Sequence, residues 1–146
     1  MQLSEHFSLE EFIRSDTAKQ LKNDNKPTPK HLEHLKITAA GFEKVRALLG
    51  GQPLEITSGY RNPVVNKAVG GTPTSAHPMG YAGDFRHPEL TPLECARKLR
   101  DSGLEFDQLI LETSRKIVHI SFDPKARRMV GEQKKGPNTP IVWKLP

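Results

Sequence analysis

Apolar residues along the chain follow two different spacings. Between residues 28 and 49 they recur at helical intervals: Leu32, Leu35, Ala39, Phe42, Val45, Leu48 and Leu49 form one stripe of "KHLEHLKITAAGFEKVRALL". That stripe predicts a long helix with one face on a core. Thr28 is placed to cap it, Pro29 fits its first position, and Gly50-Gly51 stops it. "TPLECARKLRDSG" repeats the pattern, with Thr91 as cap, Pro92 first and Gly103 at the end. "FSLEEFIRS" reads as a short helix in which Ser8 and Glu11 form a capping box, pinned to the body by Phe7, Phe12 and Ile13. "NDNKPTP" is a polar connector. The other spacing is that of strands. "PLEITSGY", "YAGDFRH", "FDQLILE" and "KIVHISF" are short, rich in β-formers and bounded by turn residues. "TSRK" joins the last two as a hairpin. "RNPVVNKAVGGTPT" is irregular with one helical turn, "ARRMVGEQ" can add an edge strand, and "KKGPNTPIVWKLP" is extended.

Helices come first and strands cluster later with short connections. The expectation is an α+β fold: an antiparallel sheet of about four strands with helices packed on one side. The 146 residues suit one domain, 1–146, with an extended C-terminal tail from about residue 133.

Composition narrows the function classes. Hydrophobic residues make up 35% and mean hydropathy is −0.59, and no run of about 18 apolar residues predicts a membrane span. "MQLSEHFSLEEF" lacks a basic start followed by an apolar stretch, so a chain made in the cytoplasm without a signal peptide is expected. Cys95 is the single cysteine, which excludes an intrachain disulfide and a Cys-rich zinc site. It lies in an amphipathic helical pattern and reads as a buried spectator. The net charge of +5 suits an anionic partner. The basic cluster "KARRMVGEQKK" carries no aromatic residue, so no nucleic-acid partner is expected.

The candidate chemistry lies in four places. In "KIVHISF" the strand period sends Val118, Ile120 and Phe122 to the core and Ile117, His119 and Ser121 to an open face. In "YAGDFRH" it puts Ala82 and Asp84 on one face and Gly83 and Phe85 on the other. Asp84 is a carboxylate in mid-strand and needs a cation or donors, while Gly83 allows close backbone approach. His77 precedes them on a loop made bendable by Gly80. Two imidazoles and one carboxylate with an open fourth position are the ligand pattern of a catalytic zinc site. Glu112 ends "FDQLILE" beside the strand of His119; it reads equally as a base for a metal-activated water or as a solvated hairpin residue. Arg61 follows "ITSGY" where its forked donors can face a cleft. A rival metal pair, His31 and His34, lies on the long helix, but "HLEH" is not H-E-x-x-H and the face reads as solvated. His87 reads as a loop residue and His6 as a terminal one.

"SAHPMGYAGD" resembles the S-x-H-x-x-G-x-A-x-D motif of zinc D-alanyl-D-alanine carboxypeptidases and their phage endolysin relatives, with Ser75, His77, Gly80, Ala82 and Asp84 all present. "SGYRNPVVNKAVGG", "FDQLILE" followed by "VHIS", and "FSLEEFIRSDTA" resemble further segments of that family, and together they cover residues 4 to about 123. The resemblance implies a Hedgehog-like peptidase fold, Zn²⁺ as cofactor, His77, Asp84 and His119 as its ligands, Arg61 as an oxyanion- or carboxylate-binding residue, and Glu112 as catalytic base. Glu112 lies seven residues before His119, a longer spacing than in vancomycin-resistance dipeptidases or Hedgehog domains, and Ile117-Val118 replaces an aromatic residue. Ser75 supports the loop, and Asp107 and Ser121 are candidate outer-shell groups.

The resemblance further implies a monomeric peptidoglycan stem-peptide peptidase, either a D-Ala-D-Ala carboxypeptidase or an L-Ala-D-Glu endopeptidase. It would reach the wall through holin-type release or as a virion component, with no membrane insertion. The alternative is a non-catalytic zinc-containing wall-binding module.

Overall fold

The caps read from the sequence start the helices where expected. Ser8 accepts the amide of Glu11 while the Glu11 side chain accepts that of Ser8, opening α1 (Leu9–Ile13). Thr28 accepts the amide of His31 ahead of Pro29, opening a helix that runs Pro29–Leu48. Thr91 and Glu94 form a second capping box for the helix Pro92–Arg100. The computed structural model describes all residues 1–146 and adds one short helix that the apolar pattern does not announce, Asp16–Gln20, capped by Ser15. The elements in chain order are thus α1, α2 (Asp16–Gln20), α3 (Pro29–Leu48), β1 (Glu55–Ser58), α4 (Pro63–Ala68), β2 (Ala82–Arg86), α5 (Pro92–Arg100), β3 (Gln108–Glu112), β4 (Ile117–Ser121) and β5 (Met129–Gln133). No helix is long and apolar enough to cross a membrane.

The five strands form one sheet in the order β1-β2-β4-β3-β5. The first three pairings are antiparallel, and the fifth strand joins β3 in parallel. The edge strand therefore makes the sheet mixed. After β4 the chain crosses the start of β3, with Ala126 and Arg128 in the left-handed region. Arg128 N and Met129 N then donate to the carbonyls of Phe106 and Asp107. The expected hairpin is a 3-10 turn, Thr113–Arg115, closed by Lys116 at φ 55°.

Side-chain alternation divides the sheet as the strand period requires. Phe85, Val118, Ile120 and Leu109 join the hydrophobic core under α3 and α5. Phe42 is at its centre, and its ring meets those of Phe7 and Phe12 at 5.8 and 5.6 Å, edge-on. Gly83 faces the same side, and a Cβ there would lie 2.8 Å from the Phe42 ring, which is why the strand carries glycine beside Asp84. On α3 the stripe shifts by a fraction of a turn from the expected one. Thr38 and Gly41 are buried, whereas Leu48 is 45% exposed and its neighbour Leu49 takes the core position at the C-terminal end.

The opposite face is not an open sheet surface. Ile117, His119 and Ser121 are all buried, and His119 shares the lining of a cleft with segment 69–79 and with Pro137, Asn138 and Ile141 of the tail. The tail folds back along β5: Glu132 and Val142 exchange two backbone hydrogen bonds of 2.8 and 2.9 Å.

Candidate metal centre

Antiparallel register sets up the centre. Asp84 on β2 lies directly opposite His119 on β4, and Ser58 lies opposite Asp84 on the other side. Directly opposed residues share a face, so Ser58, Asp84 and His119 form one row across the cleft floor. The pairing of β1 with β2 shifts between Ile56 and Ser58; such a bulge re-aims the chain beyond it. It swings Gly59–Arg61 over the row. His77 comes from the opposite wall. Its Nδ1 donates to Gly59 O at 2.6 Å, its amide donates to Ser75 Oγ at 3.2 Å, and its carbonyl accepts from Gly80 N at 3.1 Å. Gly80 has φ 84°, and a Cβ there would lie 2.9 Å from His31 O. Glycine is required on both counts.

The three side chains converge. His77 Nε2 lies 3.2 Å and His119 Nδ1 3.0 Å from the same oxygen, Asp84 Oδ1. One ligand atom from each residue lies within 4.8 Å of the others. His77, Asp84 and His119 are 2%, 0% and 7% exposed. Asp84 Oδ2 is fully buried without a hydrogen-bond partner. A buried carboxylate oxygen left bare is costly, and a cation among these groups would satisfy it. Two imidazole nitrogens and a carboxylate are the borderline donor set that zinc takes. The Nδ1–H to Gly59 O bond also leaves Nε2 of His77 as the free donor atom, the outer-shell arrangement usual for ligating histidines.

Electrostatics favours the ligating forms. Burial drives the His77 imidazole below its ordinary pKa, and Arg61 adds to this against the opposing pull of Asp84. Burial alone would raise Asp84, but the two imidazoles outweigh it and hold the carboxyl well below the usual range.

Arg61 and Glu112 line the same cleft, which has a volume of about 590 Å³. The Arg61 guanidinium is buried and fixed: Nε donates to Asn66 Oδ1 and Nη1 to Ser58 Oγ, each at 3.2 Å. Its Nη2 has no protein partner and is not sealed from solvent, so it opens to the cleft. Burial lowers its pKa, yet a guanidinium stays charged. Glu112 sits at the end of β3 on the face of His119. Burial raises its pKa and the charge of Asp84 adds to the rise; His119, Arg115 and Arg61 pull the other way. Arg115 Nη1 reaches Glu112 Oε1 at 3.4 Å. Glu112 is therefore not a solvated hairpin residue.

Two expected outer-shell groups serve elsewhere. Ser121 Oγ accepts the amide of Gln108, and Asp107 is held by Arg127; neither hydrogen-bonds a member of the triad. Asp107 accepts from Arg127 Nε at 2.8 Å, Nη2 at 2.9 Å and N at 3.1 Å. This guanidinium holds its carboxyl below the usual range. A carboxyl with a depressed folded-state pKa stabilises the fold above its unfolded value, about 3.9, and loses that stabilisation as pH falls through the lower folded value. Asp107→Asn is expected to lower the urea midpoint at neutral pH, with the gap from wild type narrowing below about pH 4. Midpoints at neutral pH and at about pH 3 check this.

His31 and His34 form no metal pair with the triad. His31 Nδ1 meets Tyr60 Oη at 3.3 Å and His34 Nδ1 donates to Met79 O at 2.7 Å, so both brace the cleft wall. His87 staples its loop, donating to Leu49 O and accepting from the amides of Glu89 and Leu90, and His6 pairs with Glu43. Cys95 is buried, its thiol pushed up to about 11 by burial. Gly59, Ser58 and Asn66 have roles here that the sequence pattern does not assign them. Asn138 Nδ2 donates to Gly70 O at 2.6 Å, so the tail touches segment 69–79, and both residues line the cleft.

No curated protein matches the chain. A family model described as peptidase M15 matches residues 5–121. That span takes in α1, the bulged β1, the segment bearing His77, and the paired strands of Asp84 and His119. With most of its length matched and its buried donor set in place, the chain belongs to the peptidase M15 family of zinc-dependent metallopeptidases.

Proposed function

We propose that this peptidase hydrolyses a bond in the stem peptide of peptidoglycan and serves as a lysis or virion-borne enzyme of a phage. The observation that carries the reading is the meeting, in one cleft, of the His77–Asp84–His119 donor set with a buried carboxyl at Glu112 and a fixed guanidinium at Arg61. Zinc held by the three ligands supplies Lewis-acid polarisation and lowers the pKa of water toward neutrality.

The chain's own groups do the rest. Glu112 takes a proton from the attacking water and delivers it to the leaving amine. Burial raises its pKa, the direction that a group carrying a proton between two partners needs. Arg61 Nη2 points its donor at the carbonyl oxygen where negative charge develops, already oriented by Ser58 and Asn66. The +5 net charge draws the enzyme to an anionic wall. A cleft shaped for D-residues would leave ordinary proteins uncut. Both a terminal D-Ala-D-Ala bond and the L-Ala-D-Glu bond fit this chemistry, and the monomer is the working unit.

The test is digestion of purified sacculi with the zinc-loaded protein, followed by mass spectrometry of the muropeptides and counting of new amine termini. Release of one defined stem fragment, stopped by a chelator and restored by zinc, is expected. Tight wall binding with no new termini would overturn the reading in favour of a binding module.

A further inference from the structure

We propose that Asn66 is a positioning residue that couples the Arg61 guanidinium to the segment carrying His77. The inference rests on the oxyanion-binding role proposed for Arg61 and extends it to a residue outside the donor set.

Asn66 lies on α4, is 3% exposed, and spends both ends of its side-chain amide. Oδ1 accepts Arg61 Nε at 3.2 Å, and Nδ2 donates to Thr72 O at 2.9 Å. Its backbone carbonyl accepts Gly71 N at 2.9 Å. Gly71 and Thr72 begin the stretch that leads through Ser75 to His77 along the cleft wall. One side chain thus fixes the guanidinium from one side and the wall from the other.

The chemistry requires an amide. A carboxylate at this position would hold Arg61 Nε but could not donate to Thr72 O, and a hydrophobic group of the same size would do neither. The contact also accounts for Gly71, where a Cβ would overlap Asn66 Oδ1. Ser58 and Asn66 together hold two of the three guanidinium nitrogens. The two contacts fix the guanidinium plane and leave Nη2 for substrate. Misplacing such a group by about 1 Å can cost on the order of a hundredfold in rate.

The experiment is a double-mutant cycle on the zinc-loaded full chain. It measures kcat/KM on the soluble stem peptide whose bond the sacculus digest identifies, together with zinc stoichiometry. Asn66→Ala is expected to lower kcat/KM about 10- to 100-fold, mainly through kcat, with zinc content unchanged. In an Arg61→Ala background the same substitution is expected to add no more than about twofold, because sites that act through one another are not additive. Gly71→Ala should behave like Asn66→Ala in both backgrounds. Asn66→Asp keeps the acceptor for Arg61 but loses the donor to Thr72 O, so it should fall between wild type and Asn66→Ala, again with little added loss in the Arg61→Ala background; it also serves as the test variant if Asn66→Ala does not fold. Equal fold-losses from Asn66→Ala in the wild-type and Arg61→Ala backgrounds would overturn the coupling while leaving Arg61 in place. Wild-type kcat/KM in Asn66→Asp would overturn the link to the wall. Full activity of Arg61→Ala would overturn the role of Arg61 and this inference together.

Discussion

Asp84→Asn is expected to remove stoichiometric zinc and to lower peptide hydrolysis by about three orders of magnitude or more, since loss of the metal forfeits several kcal/mol of transition-state stabilisation. Asp84 is the member of the triad that both imidazoles face, at 3.2 and 3.0 Å, and its Oδ2 has no other partner. An amide there is a neutral, poorer ligand. Stability should separate the two proteins as clearly as activity does. Zinc binds the folded state of the wild type, and at about a thousandfold excess over Kd this adds about 4 kcal/mol, or on the order of 10 °C in Tm for a chain of this length. The variant should show almost none of that rise. Without metal it should melt below the wild type, because it loses the carboxylate's pairing with the two imidazoles and still buries a polar atom without a partner. Thermal melts with zinc and with chelator, alongside metal analysis, check both halves. A variant that keeps one zinc per chain and the same rise in Tm would contradict the assignment.

Glu112→Gln should lower kcat by about a hundred- to ten-thousandfold, the usual contribution of a positioned proton carrier, with zinc content unchanged. The substitution conserves shape and leaves the ligands alone. It removes only the basic oxygen and weakens the 3.4 Å contact with Arg115. Single-turnover measurements on the identified stem peptide separate this from a binding defect: KM should move little. Unchanged turnover in Glu112→Gln would assign the proton transfer to another group in the cleft.

The triad was legible because its signals are local and periodic. The strand period puts His119 on the open face and sets Asp84 on the face opposite Gly83 and Phe85, and antiparallel pairing brings Asp84 and His119 opposite one another. Gly80 and Gly83 also carried physical meaning in the sequence, one through its left-handed φ and one through the approach of Phe42. The helix caps at Ser8, Thr28 and Thr91 were readable for the same local reason. The parallel placement of β5 was not. It depends on a crossing turned by Ala126 and Arg128 at positive φ, which non-glycine residues do not advertise. The burial of His119 was hidden too, since its cleft is completed by segment 69–79 and by tail residues Pro137, Asn138 and Ile141, which lie far from it along the chain. Asn66 lay in a segment that reads as irregular. The signal that could have found it is the glycine pair a few residues on, one of which has no room for a side chain.

The bond between Asn138 and Gly70 is a tether as well as a contact: it joins two segments far apart along the chain, so a change that loosens either one is transmitted to the other across the lining of the cleft.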